Sequence, residues 1–108
     1  MSSNGKILIY APNDNGGLNE IKNVKNAAEK IARRLKLGVE VIRRDNLSSV
    51  WVYFENYDGQ LIPIYFNYWL KCPIDEVYTK IRNMMFVLSF HPKFRGLRSI
   101  RREIMAPS

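Results

Sequence analysis

The sequence predicts an α+β fold: a single domain in which a mostly antiparallel sheet packs on helices, followed by a basic helical tail. Three observations support this. The 108 residues suffice for one domain, short apolar runs alternate with two stretches of helical periodicity, and an Asp-Gly pair separates two aromatic runs. The order of elements reads β-α-β-β-β-α. We expect a globular domain over residues 1–90 and an arginine-rich extension over residues 91–108.

The first strand and the first helix come from the N-terminal third of the chain. Lys6–Ala11 is a short apolar run that predicts a buried strand, and the turn-rich segment Pro12–Gly17 follows it. Leu18–Leu37 carries apolar residues every three or four positions, which predicts an amphipathic helix with Gly38 as its stop signal. The glycines before this helix lack the spacing of a phosphate-binding loop, so a plain turn is favoured.

Three further strands are predicted, over Val39–Arg44, Val50–Asn56 and Leu61–Trp69. Asp58-Gly59 predicts a two-residue type I′ turn that places Phe54 opposite Pro63. Because proline cannot donate a backbone hydrogen bond, Leu61–Trp69 is expected at an edge of the sheet. That edge is a candidate contact for a homodimer.

The two hairpin strands are apolar on both faces. The predicted turn puts Trp51, Tyr53 and Ile64 on one face, and Val52, Phe54 and Leu61 on the other. An antiparallel sheet in a small domain usually buries only one face. The first helix can cover one face. The other must be covered by a second helix, predicted from Cys72-Pro73 to Pro92, or must meet a partner.

The residues give little support to an enzyme. With one cysteine, Cys72, and one histidine, His91, the chain can form neither an internal disulfide nor a Cys/His zinc site. Glu40, Asp45 and Glu55 lie on or near neighbouring strands and could hold the metal of a small nuclease, but no lysine accompanies them there. We therefore expect no catalytic residues, no metal and no cofactor, with a metal-dependent nuclease as the remaining enzymatic alternative.

The N-terminus does not read as a secretory signal, and no apolar stretch approaches the length of a membrane span. These observations predict a cytoplasmic protein without membrane association.

The positive charge is concentrated in two segments. Residues 22–44 carry eight Lys or Arg against two Glu, a net charge of +6, and residues 89–108 carry five against one, a net +4. The rest of the chain sums to −3, which gives the total of +7. A basic stripe would form if the fold brought the two segments together, and such a stripe is typical of proteins that bind nucleic acid.

The tail is basic and also amphipathic. Arg95–Ile104 predicts a short helix with Leu97, Ile100 and Ile104 on one side and arginines around the rest. The predicted phosphate contacts are Lys93, Arg95, Arg98, Arg101 and Arg102 in the tail, with Arg33, Arg34, Arg43 and Arg44 second. Stacking platforms for bases could come from the aromatic residues of the predicted hairpin, Trp51, Tyr53, Tyr57, Tyr65, Tyr68 and Trp69.

The order α-β-β-β-α over residues 18–90 is similar to that of a double-stranded-RNA-binding domain. Such domains open their last helix with a lysine-rich phosphate clamp, whereas here Pro73–Glu76 is acidic. The aromatic strand motif of RNA-recognition modules is also missing, so no family is assigned.

We expect a non-enzymatic RNA-binding protein, ribosome- or ribonucleoprotein-associated. The alternatives are a DNA-binding regulator of viral or plasmid type and a protein–protein adaptor that docks through the apolar side of the tail.

Overall fold

The structure, a computed structural model, describes residues 5–13, 18–47, 49–56, 58–67 and 73–105, without the side chains of residues 18–20 and 67. Its elements are β1 (Lys6–Pro12), α1 (Leu18–Leu35), β2 (Gly38–Arg44), β3 (Val50–Glu55), β4 (Leu61–Asn67), α2 (Ile74–Leu88), α3 (Arg95–Ser99) and α4 (Arg101–Met105). This is the predicted α+β fold. The predictions made for Tyr57, Tyr68, Trp69 and Cys72 lie outside the described residues.

The four strands form one mixed sheet in the order β2-β1-β3-β4. β1 pairs with β2 in parallel and with β3 antiparallel, and β3 pairs antiparallel with β4. The ladder between β3 and β4 has an irregularity between Val52 and Tyr53. As predicted, β4 lies at an edge.

Both long helices lie on the same face of the sheet. α1 packs against β1, β2 and α2, while α2 packs against α1 and β4. The core between the two layers takes alternate residues of the strands, such as Ile9 in β1, Phe54 in β3 and Ile64 in β4, all at most 2% exposed. Among the described elements, no helix covers the opposite face. α2 therefore does not cover this open face, and contact of the face with a partner stays a prediction.

The turn between β3 and β4 is longer than predicted. The N–H of Asn56 donates to the carbonyl of Gln60 over 2.8 Å, and the N–H of Gly59 donates to the carbonyl of Asn56 over 2.9 Å. Three residues, not two, separate this closing pair. Gly59 has a φ of 90°, in the left-handed region that glycine supplies in three-residue hairpin loops.

The extra loop residue changes which residues share a face. Tyr53, not Phe54, lies opposite Pro63. Ile64 is buried in the core while Leu61 is 44% exposed, the reverse of the predicted assignment. The prediction was wrong next to the turn because side chains alternate with a period of two, so a shift by one residue exchanges the two faces. Beyond the irregularity at Val52 and Tyr53 the predicted register returns, with Trp51 opposite Phe66 and Val52 opposite Tyr65.

Helix α1 ends two residues before the predicted end. Lys36 takes a left-handed conformation with φ 58°, and the N–H of Leu37 donates to the carbonyl of Ala32 over 2.9 Å. This is the hydrogen bond of a Schellman ending, with Lys36 in the position that glycine usually fills. Leu37 packs against the core, and Gly38 begins β2, so Gly38 is not the stop signal of the helix.

The tail forms two short helices, α3 and α4, where the sequence predicted one. Leu97, Ile100 and Ile104 lie in the same buried cluster as α1 and α2, each no more than 3% exposed. The described part of the tail therefore shares a core with α1 and α2, and the boundary at residue 90 stays a prediction. The adaptor alternative expected these three side chains to dock into a partner's groove. Because they are buried, they are not available for that contact.

Within the described ranges, every helix falls short of the length and apolar character needed to cross a bilayer.

Candidate nucleic-acid interface

The open face of the sheet is aromatic at one end. Because Ile7, Ile9 and Ala11 face the core, the alternate residues of β1 point the other way. Cross-strand pairing sets Tyr10 opposite Trp51, and Trp51 opposite Phe66. The aromatic residues that gather on this face are Tyr10, Trp51, Tyr53 and Phe66, all half-buried.

The rings of this aromatic cluster are in contact. Tyr10 and Tyr53 meet edge to face with centroids 5.5 Å apart, and Trp51 and Phe66 meet at 3.9 Å with a tilt of 44°. The guanidinium of Arg44, at the end of β2, lies over the Tyr10 ring, 6.0 Å from its centroid. A cation beside exposed π-faces can hold an anionic group next to a stacked ring.

A groove of about 670 Å³ runs over this aromatic end. The residues that line it are Tyr10, Arg44, Asn46, Leu47, Trp51, Tyr53 and Leu61. The groove is lined by aromatic and aliphatic side chains, one cation and one amide. Such a lining is complementary to a ligand that combines a flat, partly polar ring with a negatively charged group. A nucleotide has that combination.

The other end of the open face is charged and self-paired. The ammonium of Lys6 lies 3.3 Å from a carboxylate oxygen of Glu40 and 4.0 Å from one of Glu55. Asp45 lies beyond the far end of β2, where it accepts a hydrogen bond from the Asn13 amide over 2.6 Å. Glu40 and Glu55 thus meet at Lys6, a lysine that the sequence did not predict beside them. Asp45 lies apart, so the three carboxylates considered for a nuclease do not form one group. No group of three His, Cys, Asp or Glu suited to a metal ion occurs in the part of the chain that the structure describes.

The single histidine is engaged locally. His91 Nδ1 accepts a hydrogen bond from the N–H of Lys93 over 3.1 Å, and its ring stacks on Phe94 with centroids 4.7 Å apart. These contacts explain the residue as part of the turn that leads into α3.

The first basic segment is split between the two ends of β2. Arg33 and Arg34 occupy the last turn of α1, which leads into Gly38 at the start of β2. Arg43 and Arg44 close the same strand, about 20 Å away at ~3.3 Å per residue. These four arginines are therefore divided between the two ends of the strand, and a single basic stripe stays a prediction. Arg43 also donates to the carbonyl of Pro12 over 2.8 Å.

Two of the predicted arginines hold the fold together. Arg34 donates to the Tyr78 hydroxyl over 2.6 Å and to the Glu103 carbonyl over 3.3 Å, which joins α1, α2 and α4. Arg101 donates to Ser89 twice, over 3.1 Å to its hydroxyl and 2.7 Å to its carbonyl. The Arg101 guanidinium also lies 3.9 Å from the centroid of the Phe90 ring.

The remaining cations of the tail are exposed. Within the described ranges, the side chains of Lys93, Arg95, Arg98 and Arg102 form no hydrogen bond or ion pair. They surround α3 and α4 on the side away from the core. They are free to meet an anionic ligand, whereas Arg34 and Arg101 already have partners.

No protein-family model, curated protein or solved structure matches this chain. Function is therefore inferred from the residues and their arrangement alone.

Sequence reasoning missed part of the aromatic cluster. It considered Trp51 and Tyr53 as stacking residues but overlooked Tyr10 and Phe66. It also counted Tyr65, which instead packs against the core. A signal for Tyr10 was present in the alternation Lys6, Leu8, Tyr10 of the first strand, but the sequence does not say which face of that strand is covered.

Proposed function

We propose that this protein binds RNA without enzymatic activity, by stacking single-stranded bases on the open aromatic face while cations hold the phosphates. The observation that carries the proposal is the uncovered face with Tyr10, Trp51 and Tyr53 beside Arg44. A ribonucleoprotein-associated role fits a small chain with a net charge of +7.

The energies of stacking make this arrangement effective. Each base stacked on an aromatic side chain contributes roughly 1–3 kcal/mol by alanine substitution. Half-buried rings keep part of their surface accessible. Because every base has a π-face that can stack, the proposal implies binding with weak sequence preference. Phosphate contacts would add a term that declines as salt increases.

The exposed cations of the tail are the proposed second component. Lys93, Arg95, Arg98 and Arg102 can each contact a phosphate without breaking an internal bond. Arg33, Arg43 and Arg44 are also exposed. Arg34 and Arg101 already form internal hydrogen bonds and are therefore expected to contribute less.

The first experiment compares two aromatic substitutions in binding to a short uridine-rich RNA. Trp51→Ala combined with Tyr53→Ala is expected to weaken binding at least tenfold, about 1.4 kcal/mol. Phe90→Ala removes an aromatic ring that is 56% exposed on the helical side and serves as the matched control, with an expected change below twofold. Equal effects of both variants, or none, would contradict the role of the open face.

A second experiment tests the tail. Arg98→Glu combined with Arg102→Glu is expected to leave the circular dichroism spectrum unchanged and to weaken RNA binding tenfold or more, about 1.4 kcal/mol. The slope of log affinity against log salt should decrease in magnitude, because fewer phosphates are neutralised. Unchanged affinity and slope would remove the tail from the interface.

Three further observations separate the alternatives. Tighter binding to single-stranded or duplex DNA than to RNA would replace RNA as the ligand. Cleavage of RNA in Mg²⁺ would identify a nuclease. A dimer mass in sedimentation would support the proposed homodimer through β4, whose edge position is compatible with strand pairing between copies.

A further inference from the structure

A second cationic site lies on the helical side of the sheet, in the cleft between α1 and α2. The cleft has a volume of about 520 Å³. Its lining residues are Lys30, Arg33, Arg34, Asp75, Tyr78 and Thr79. Sequence reasoning named Arg33 and Arg34 but not their neighbours from α2, because only the packing of the two helices brings these residues together.

One cation of the cleft is held in a fixed orientation. The Tyr78 hydroxyl and the Glu103 carbonyl both accept hydrogen bonds from Arg34, over 2.6 and 3.3 Å. A guanidinium whose side chain is already ordered loses little conformational entropy when it binds an anion. Arg34 is thus pre-organised at the inner wall of the cleft.

The other two cations are unengaged. Lys30 and Arg33 are exposed, and neither forms a hydrogen bond or an ion pair in the described part of the chain. Three cations face one carboxylate, that of Asp75, which leaves the cleft with a formal charge of +2. A site with excess positive charge favours an anionic ligand.

We infer that this cleft binds the phosphodiester backbone of nucleic acid. The inference rests on the proposed function, since it assigns a backbone site to the same ligand whose bases stack on the open face. Arginine donors match the geometry of phosphate oxygens, and a fixed guanidinium with two exposed cations beside it can hold a phosphate and its neighbour along a strand.

The two sites lie on opposite sides of the sheet, which has a consequence for ligand length. A short strand on the open face cannot also reach the cleft, because the sheet and the helical layer separate them. The cleft therefore contributes only when the nucleic acid is long enough to pass around the domain, or when a second segment is present.

The test uses a probe that has phosphates but no bases, an abasic phosphodiester oligomer. The full-length chain is expected to bind this oligomer at low salt. Lys30→Glu combined with Arg33→Glu should weaken that binding at least tenfold. Arg34 is not substituted because its internal bonds support the fold.

A matched control carries the same change in net charge. Lys25→Glu combined with Lys80→Glu also lowers the net charge by four from +7. Both residues are exposed. At 100° per residue, Lys25 lies half a turn from Arg34 and 140° from Lys30, and neither Lys25 nor Lys80 lines the cleft. This variant is expected to retain abasic binding within threefold, and a loss as large as that of the cleft variant would overturn the site.

A third substitution is expected to raise the affinity for the abasic oligomer instead of lowering it. Asp75→Asn removes the negative charge of the cleft and is expected to increase affinity for the abasic oligomer about threefold. No binding of the abasic oligomer at low salt, or binding insensitive to Lys30→Glu with Arg33→Glu, overturns the cleft. The proposed function is judged separately by the loss of short-RNA binding in Trp51→Ala with Tyr53→Ala, so the two ideas can fail independently.

Discussion

The two faces of the sheet are formed by the same strands but differ in how deeply their apolar side chains are buried. In β3, Val52 and Phe54 are fully buried beneath the helices, while Trp51 and Tyr53 between them stay half-buried on the open face. One face is enclosed by helices, and the other leaves large rings partly in water. In a strand of this kind, every second side chain packs in the core, and the side chains between them remain available for a ligand.

The difference also separates stability from binding. Side chains of the covered face lose their contact with water and contribute to folding through burial and close packing. Rings of the open face stay half-buried and keep part of their surface accessible to water. Substitutions on the two faces should therefore affect different measurements.

The largest expected effect is a loss of stability caused by a substitution on the covered face. Phe54→Ala should lower the free energy of unfolding by about 4 kcal/mol, because it removes a fully buried ring and leaves a cavity. Tyr53→Ala, its neighbour on the open face, should cost only about 1 kcal/mol. Urea denaturation of both variants measures the difference.

The binding experiment reverses this ranking. Where Phe54→Ala remains folded, it should bind RNA like the unaltered chain, and Tyr53→Ala should bind more weakly. Equal stability losses for the two substitutions would mean that Tyr53 is a core residue and that the two faces are not distinct.

A second prediction extends the comparison to the tail. Leu97→Ala should cost about 3 kcal/mol because Leu97 is fully buried with α1 and α2. Met105→Ala, on a side chain that is 41% exposed, should cost less than about 1 kcal/mol. Thermal unfolding followed by circular dichroism gives both values. A small effect of Leu97→Ala would return the tail to the status of an independent extension.

A third prediction compares two tyrosine hydroxyls on opposite sides of the molecule. Tyr78→Phe removes the acceptor of the Arg34 hydrogen bond and should cost about 1.5 kcal/mol, the lower end for bonds to charged groups. Tyr10→Phe should change stability by less than about 0.5 kcal/mol and keep its stacking surface on the open face. Denaturation curves that do not distinguish the two variants would show that the Arg34 bridge adds no stability.

Much of this architecture follows from sequence patterns with long-range regularity. The apolar stripe of α1 and the alternation of β3 run over many residues. Both elements are therefore recognised even when their predicted ends are off by a residue or two. The edge position of β4 follows from Pro63, which lacks a backbone donor. The order of elements was predicted for the same reason.

The register of the hairpin and the composition of the sites were not predictable in the same way. Both registers place apolar residues on each face of β4, so hydrophobic pattern cannot choose between them, and Asp58-Gly59 fits either a two-residue or a three-residue loop. The cleft joins Lys30 of α1 to Thr79 of α2. Contacts between residues so far apart in sequence depend on how the helices pack.

The smallest predicted effect concerns the end of α1, the helix that covers the sheet. Lys36 adopts a left-handed conformation, which costs a non-glycine residue about 1 kcal/mol. Lys36→Gly should relieve that cost and stabilise the domain by somewhat less, about 0.5 kcal/mol, because glycine also adds freedom to the unfolded chain. Lys36→Ala is the matched control, since it removes the same charge without easing the backbone and should give no gain. A gain in both variants would trace the effect to charge, and the helix would then end without backbone strain at this position.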